Sequence, residues 1–156
     1  MKRPADLSVL LQLRQRQRDE ALTALAQARR DHQLAEQQLG QLHTYAVEAE
    51  QRWTERARLG VSPTLLATHR HFMARLEQAT QLQQQTLQQL AERITQCEAQ
   101  LLQAERALAT LRRLQQRRAQ QWQQHLQRQE QKANDEMALQ QHRRRAPPIP
   151  STGGHP

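Results

Sequence analysis

Seven histidines and one cysteine carry most of the chemical versatility of this 156-residue chain. An imidazole or a thiolate can hold a metal, move a proton or attack an electrophile, but only beside the right partners. His69 and His71 stand two apart, which sends them to opposing flanks of a helix, whereas a helical zinc pair needs an i, i+4 spacing. His32 and His125 have no Cys or His cluster around them. Asp135 and Glu136 are adjacent and point in different directions, a poor pair for acid/base work. Cys97 has no second cysteine to bridge to, so a reducing cytoplasm fits, and it falls on an apolar line where it serves as a small hydrophobe. No Gly-rich phosphate loop and no Ser/His/Asp constellation is present. The histidines therefore read as solvated surface groups. The expectation is a non-enzymatic protein with no metal and no cofactor.

The elements that would position any such residue are unusually regular. In the first part of the chain a 4-3 ladder runs Leu7, Leu11, Arg14, Arg18, Ala21, Leu25, Ala28, His32, Ala35, Leu39, Leu42, Ala46, Ala49, Trp53. In the second part its cleanest stretch is Leu87, Leu90, Ile94, Cys97, Leu101, Ala104, Leu108, Leu111. A mean spacing of about 3.5 residues keeps one narrow seam facing a partner helix, the signature of a coiled coil. Between the ladders, Leu59-Gly60-Val61-Ser62-Pro63 combines a C-cap glycine, an N-cap serine and a proline suited to a first helical position. The expected fold is all-α: a long antiparallel two-helix coiled-coil hairpin over 1–142, with helix one about 5–58, a turn at 59–63 and helix two about 63–142. The Arg- and Pro-rich 143–156 reads as a disordered tail.

Composition agrees with exposed helices. Aromatics make up 3%, glycines number 4, and mean hydropathy is -0.97. Intrinsic disorder also favours Gln and charge, but sustained heptads with real Leu content argue against it. No segment reaches the ~18–20 apolar residues of a membrane span. The apolar stretch after the basic opening stops at Leu11, short of the ~7–15-residue core of a signal peptide.

Helix two is the longer. Folding about residue 61 pairs Leu7 with the neighbourhood of Gln115, so the helix after about Arg118 overhangs. That overhang still carries Trp122, Leu126 and Met137. Either the start of the chain folds back over this face or another protein covers it. Charge is uneven as well. Residues 1–18 carry five basic and one acidic side chain, 112–145 nine and three, and 19–111 nine and eleven. In a hairpin the two positive segments meet at the open end, which implicates Arg14, Arg16, Arg18, Arg112, Arg113, Arg117 and Arg118 in binding an acidic partner. The turn end differs. Tyr45, Trp53 and Phe72 flank the turn, and Gln38, Leu42, Tyr45, Phe72, Leu76 and Ala79 form a second stripe, either a thicker core or an outward docking face.

A pI near 11.2 and the arginine clusters also admit a basic coiled-coil nucleic-acid binder. Against it, no aromatic stacking platform is interleaved with the arginines, and no zipper-plus-basic-region layout is present. A passive coiled coil that dimerises through Trp122 and Leu126 is a third possibility.

Several segments in order resemble the FliJ family of flagellar type III export stalk proteins. They are Leu7-x-x-Leu10, Ala35-Glu36-x-x-Leu39-x-x-Leu42-x-x-Tyr45, Gly60 in the turn, Phe72-x-x-x-Leu76-Glu77-x-Ala79, and Lys132-x-x-Asp135-Glu136-x-Ala138. The resemblance spans nearly the whole chain, and injectisome stalk proteins share the architecture. It implies an antiparallel coiled coil like the central shaft of rotary ATPases. The end with both termini would enter the hexameric export ATPase, FliI, and promote ring assembly and ATP hydrolysis. The turn end would dock on the linker of the export gate protein FlhA, through the positions occupied by Gln38, Leu42, Tyr45, Phe72, Leu76 and Ala79. Export chaperones would also bind. The location implied is cytoplasmic, peripheral to the inner membrane at the export apparatus. Two further positions of the gate-docking face are Ala49 and Gln83 here, which shrinks the patch.

Overall fold

The computed structural model describes residues 2–145. Two helices account for its regular structure, α1 (Ser8–Ala57) and α2 (Pro63–Arg145), with no strand among the described residues. The all-α two-helix expectation holds. No helix among the described residues is long and apolar enough to cross a membrane.

Local chemistry sets the helix ends. Asp6 accepts a hydrogen bond from the Ser8 N–H at 2.9 Å on one carboxylate oxygen and from the Ser8 hydroxyl at 3.0 Å on the other. Such local side-chain bonds compete with helical ones, and α1 starts at Ser8. At its far end the N–H groups of Leu59 and Gly60 donate to the carbonyls of Arg56 and Ala57, each at 3.1 Å, which tightens the last turn. Gly60 then takes φ +90, a left-handed conformation that costs a side-chain-bearing residue about 1–2 kcal/mol. A Cβ there would meet nothing within 4 Å, so the demand for glycine comes from the backbone alone. Ser62 restarts the chain as a helix: its Oγ accepts from the Leu65 N–H at 3.2 Å and its carbonyl from Leu66 at 3.1 Å, with Pro63 in the first helical position.

α2 runs three residues past the expected end at His142, through Arg143, Arg144 and Arg145. Cations in a last turn face the negative pole of the helix, so these arginines extend the helix and do not begin the tail. The disorder expected for 146–156 lies outside the described residues.

Contacts divide the described residues into two compact units, one of Gln12–Leu108 and one of 2–11 with 109–145. The first is an antiparallel hairpin. From the turn outward, Trp53 meets His69, Tyr45 meets Phe72, Ala35 meets Gln83, Asp31 meets Arg93, and Arg29 meets Glu98. Its core centres on Leu25, Ala28 and Cys97, with Ala24, Ile94 and Leu101 packed against them. Every α1 ladder position from Arg14 to Trp53 is buried or half-buried, as is every α2 position from Leu87 to Leu108.

The α2 seam does not begin at Leu87. His69, Met73, Leu76, Thr80 and Gln83 continue the same 4-3 register back toward the turn, and all five are buried or half-buried. Three of them are polar, which hides the register from a search for apolar residues. In the second unit Leu7 and Leu11 are half-buried, Leu111 is buried, and Arg118, Trp122 and His125 are half-buried. Every residue from Leu126 to Arg145 is exposed.

Candidate protein-interaction surfaces

The aromatic stripe near the turn divides into an inner and an outer set. Leu76 is buried at 8% exposure and Leu42 is half-buried, both in the seam of the hairpin, and half-buried Ala79 flanks the seam beside Thr80. Tyr45 and Phe72 remain outside, 48% and 38% exposed, and meet edge to face with ring centroids 5.9 Å apart and planes at 75°. Such a pair contributes about 0.5–1.5 kcal/mol beyond the area it buries, so it ties the helices together while leaving ring surface to solvent. Met73, next to Phe72, is half-buried, as helical spacing demands of adjacent residues.

Gln38 is exposed and held in place. Its Oε1 accepts from the Gln83 amide at 3.1 Å, and that same amide donates to the Ala35 carbonyl at 3.0 Å. Gln83 and the half-buried Ala49 thus serve the hairpin. Of the six expected docking positions, Gln38, Tyr45 and Phe72 are exposed on one unit and the other three pack within it.

His69 corrects the reading of the histidines as solvated. Its side chain is 14% exposed, stacks on Trp53 at 4.1 Å with planes 3° apart, and holds Nε2 3.4 Å from a Glu50 carboxylate oxygen. His32 is half-buried on the seam with Nδ1 3.3 Å from Glu36, and half-buried His125 lies 5.6 Å from the Trp122 ring. Carrying the ladder back from Leu87 through polar residues lands on His69, and that signal was present in the sequence. Among the described residues no His, Cys, Asp and Glu side chains cluster as a metal site would require.

The arginines differ in partners. Within the Gln12–Leu108 unit, half-buried Arg14 donates to Gln17 Oε1 at 3.0 Å, half-buried Arg18 pairs with Asp19 at 2.9 Å, and Arg16 is exposed. On the later part of α2, Arg112, Arg113 and Arg117 are exposed and Arg118 is half-buried. None of these four forms an ion pair among the described residues. In this same unit residues 3–7 border one groove together with Gln115, Arg118, Ala119, Trp122 and Gln123. The start of the chain thus supplies part of the cover for Trp122. Leu126 and Met137 stay open at 44% and 59% exposure.

Comparison with known proteins adds one finding. The model of the family described as "Flagellar FliJ protein" matches residues 2–147. No curated protein matches the chain, and no solved structure does.

Proposed function

Since the chain belongs to the flagellar FliJ protein family, we propose that it acts in flagellar protein export as a non-enzymatic stalk, promoting assembly and activity of the hexameric export ATPase, linking it to the membrane export gate and receiving export chaperones. It works at the cytoplasmic face of the inner membrane. The observation that carries this reading is the family match across 2–147, nearly the full chain. The surfaces support it in detail. Tyr45 and Phe72, with Gln38 beside them, offer an aromatic patch to the gate. Arg112, Arg113, Arg117 and Arg118, which lack carboxylate partners, together with Arg14, Arg16 and Arg18, offer charge to the ATPase. Trp122, Leu126 and Met137 offer apolar contacts along α2.

The test is ATP hydrolysis by the cognate export ATPase titrated with this protein. Stimulation that saturates near one chain per hexamer is the expected result. An ATPase that forms hexamers and yet ignores the protein would overturn the stalk reading.

A further inference from the structure

We propose that the groove between residues 3–7 and the 115–123 stretch of α2 is a docking site for a short acidic protein segment bearing one aromatic or aliphatic anchor side chain. The groove mixes polar and apolar walls. Half-buried Trp122 lies in it with half-buried Pro4 and Leu7, an arrangement that receives a single hydrophobic side chain. Two arginines against one carboxylate, Asp6, leave its lining with a net charge of +1. Arg3 and Arg118 both line it, and Arg118 has no carboxylate partner among the described residues.

Asp6 is the one carboxylate lining the groove; its oxygens accept from the Ser8 N–H and hydroxyl, and Arg3 attracts it. No ion pair joins Asp6 to Arg118 among the described residues, so that guanidinium is open to another carboxylate. A guanidinium presents paired N–H donors that match a carboxylate in bidentate fashion. From Gln115 to Gln123 the helix rises about 12 Å, which accommodates about four residues of extended chain. Two guanidiniums beside one indole, over that length, fit a short peptide; a nucleic-acid strand needs a longer track of charges and repeated stacking platforms. The site shares Arg118 and Trp122 with the surfaces proposed above, and the peptide titration tests it without the ATPase.

The experiment uses the full chain with Trp53→Phe, which leaves Trp122 as the only tryptophan. A five-residue peptide of Asp and Glu around one Phe, capped at both ends, is titrated while indole emission is followed. A saturable change is expected, absent with the Asn/Gln version of the peptide. Arg118→Gln and Arg3→Gln should each weaken binding about tenfold, as loss of a charge-assisted hydrogen bond does. Arg128→Gln, outside the groove, should leave binding unchanged, with far-UV circular dichroism confirming equal helicity throughout. If Arg118→Gln loses helicity, Arg3→Gln decides. Equal binding of the amide peptide, or insensitivity to the arginine substitutions, overturns the proposal. So does displacement of the peptide by a short oligothymidylate at lower concentration than the peptide itself requires. An emission change that follows dimerisation in sedimentation, with no peptide added, assigns the groove to a second copy and overturns it too.

Discussion

Tyr45 and Phe72 touch edge to face across the two helices, yet each keeps more than a third of its surface open. A ring pair of this kind stabilises the hairpin modestly, by about 1 kcal/mol. Replacing both by alanine should therefore leave the helices folded, with unchanged far-UV circular dichroism, while abolishing the proposed binding to the export gate in a pull-down. Loss of helicity would place the pair in the core. Leu76, one turn from Phe72 and buried, is the wrong residue for that experiment, because its removal damages the seam itself. Asp6 offers a pH-dependent test at the same scale. Hydrogen bonds from the Ser8 N–H and hydroxyl hold its carboxyl below the usual aspartate range, and Arg3 adds attraction. A depressed pKa in the folded state means the cap is fully formed above the unfolded pKa and is lost as pH falls through the folded one. The Ser8 amide signal in NMR should titrate with a midpoint below that of an ordinary aspartate, and Asp6→Asn should remove the transition. A midpoint at the ordinary value would remove the cap from the account of where α1 starts.

At the scale of the helix, seam position decides what a leucine contributes. Leu108 is 2% exposed and Leu102, six residues earlier on α2, is 47% exposed. Leu108→Ala should cost about 2–3 kcal/mol, and Leu102→Ala less than about 0.5 kcal/mol, read as shifts in the urea midpoint. Equal costs would mean that the heptad register is not what holds the helix. The polar seam members do different work. Gln83 reaches across to the Ala35 carbonyl and Gln38, and His69 stacks on Trp53, so each contact exists in one register only. Polar groups in a coiled-coil seam give up some stability and in return select alignment. The ion pairs between helices, Arg93 with Asp31 and Arg29 with Glu98, are largely exposed, and pairs of that kind contribute little.

Across the whole molecule the informative quantity is where the charge lies. The formal excess of +8 is confined to the segments 1–18 and 112–145, whereas 19–111 is slightly acidic. Two kinds of association should then respond differently to salt. Binding to the export ATPase, if carried by arginines, should weaken steeply between low and moderate ionic strength, since exposed charges are screened over ~10 Å at 0.1 M. Docking through Tyr45 and Phe72 should change little. Surface plasmon resonance at two salt concentrations separates the cases, and salt-insensitive ATPase binding would remove the electrostatic part of the proposal.

The chain's linear pattern was enough to determine two helices, the Gly60-Ser62-Pro63 break and the seam from Arg14 to Trp53 and from Leu87 to Leu108. Heptad spacing and cap chemistry are local, each written within a few residues, and they survive wherever the helices end up. The allocation of the aromatic stripe was not legible in this way. Leu76 and Phe72 are both apolar and four apart, and only the opposing helix decides that one enters the seam while the other stays outside. The 4-3 register reaches His69 in the sequence, but its stacking on Trp53 appears only in the folded hairpin. For Trp122 the sequence left two covers open, the start of the chain or another protein, and residues 3–7 border it in the structure. Side chains far apart in sequence reveal their roles only when folding removes water between them, because burial and pairing are properties of the pair.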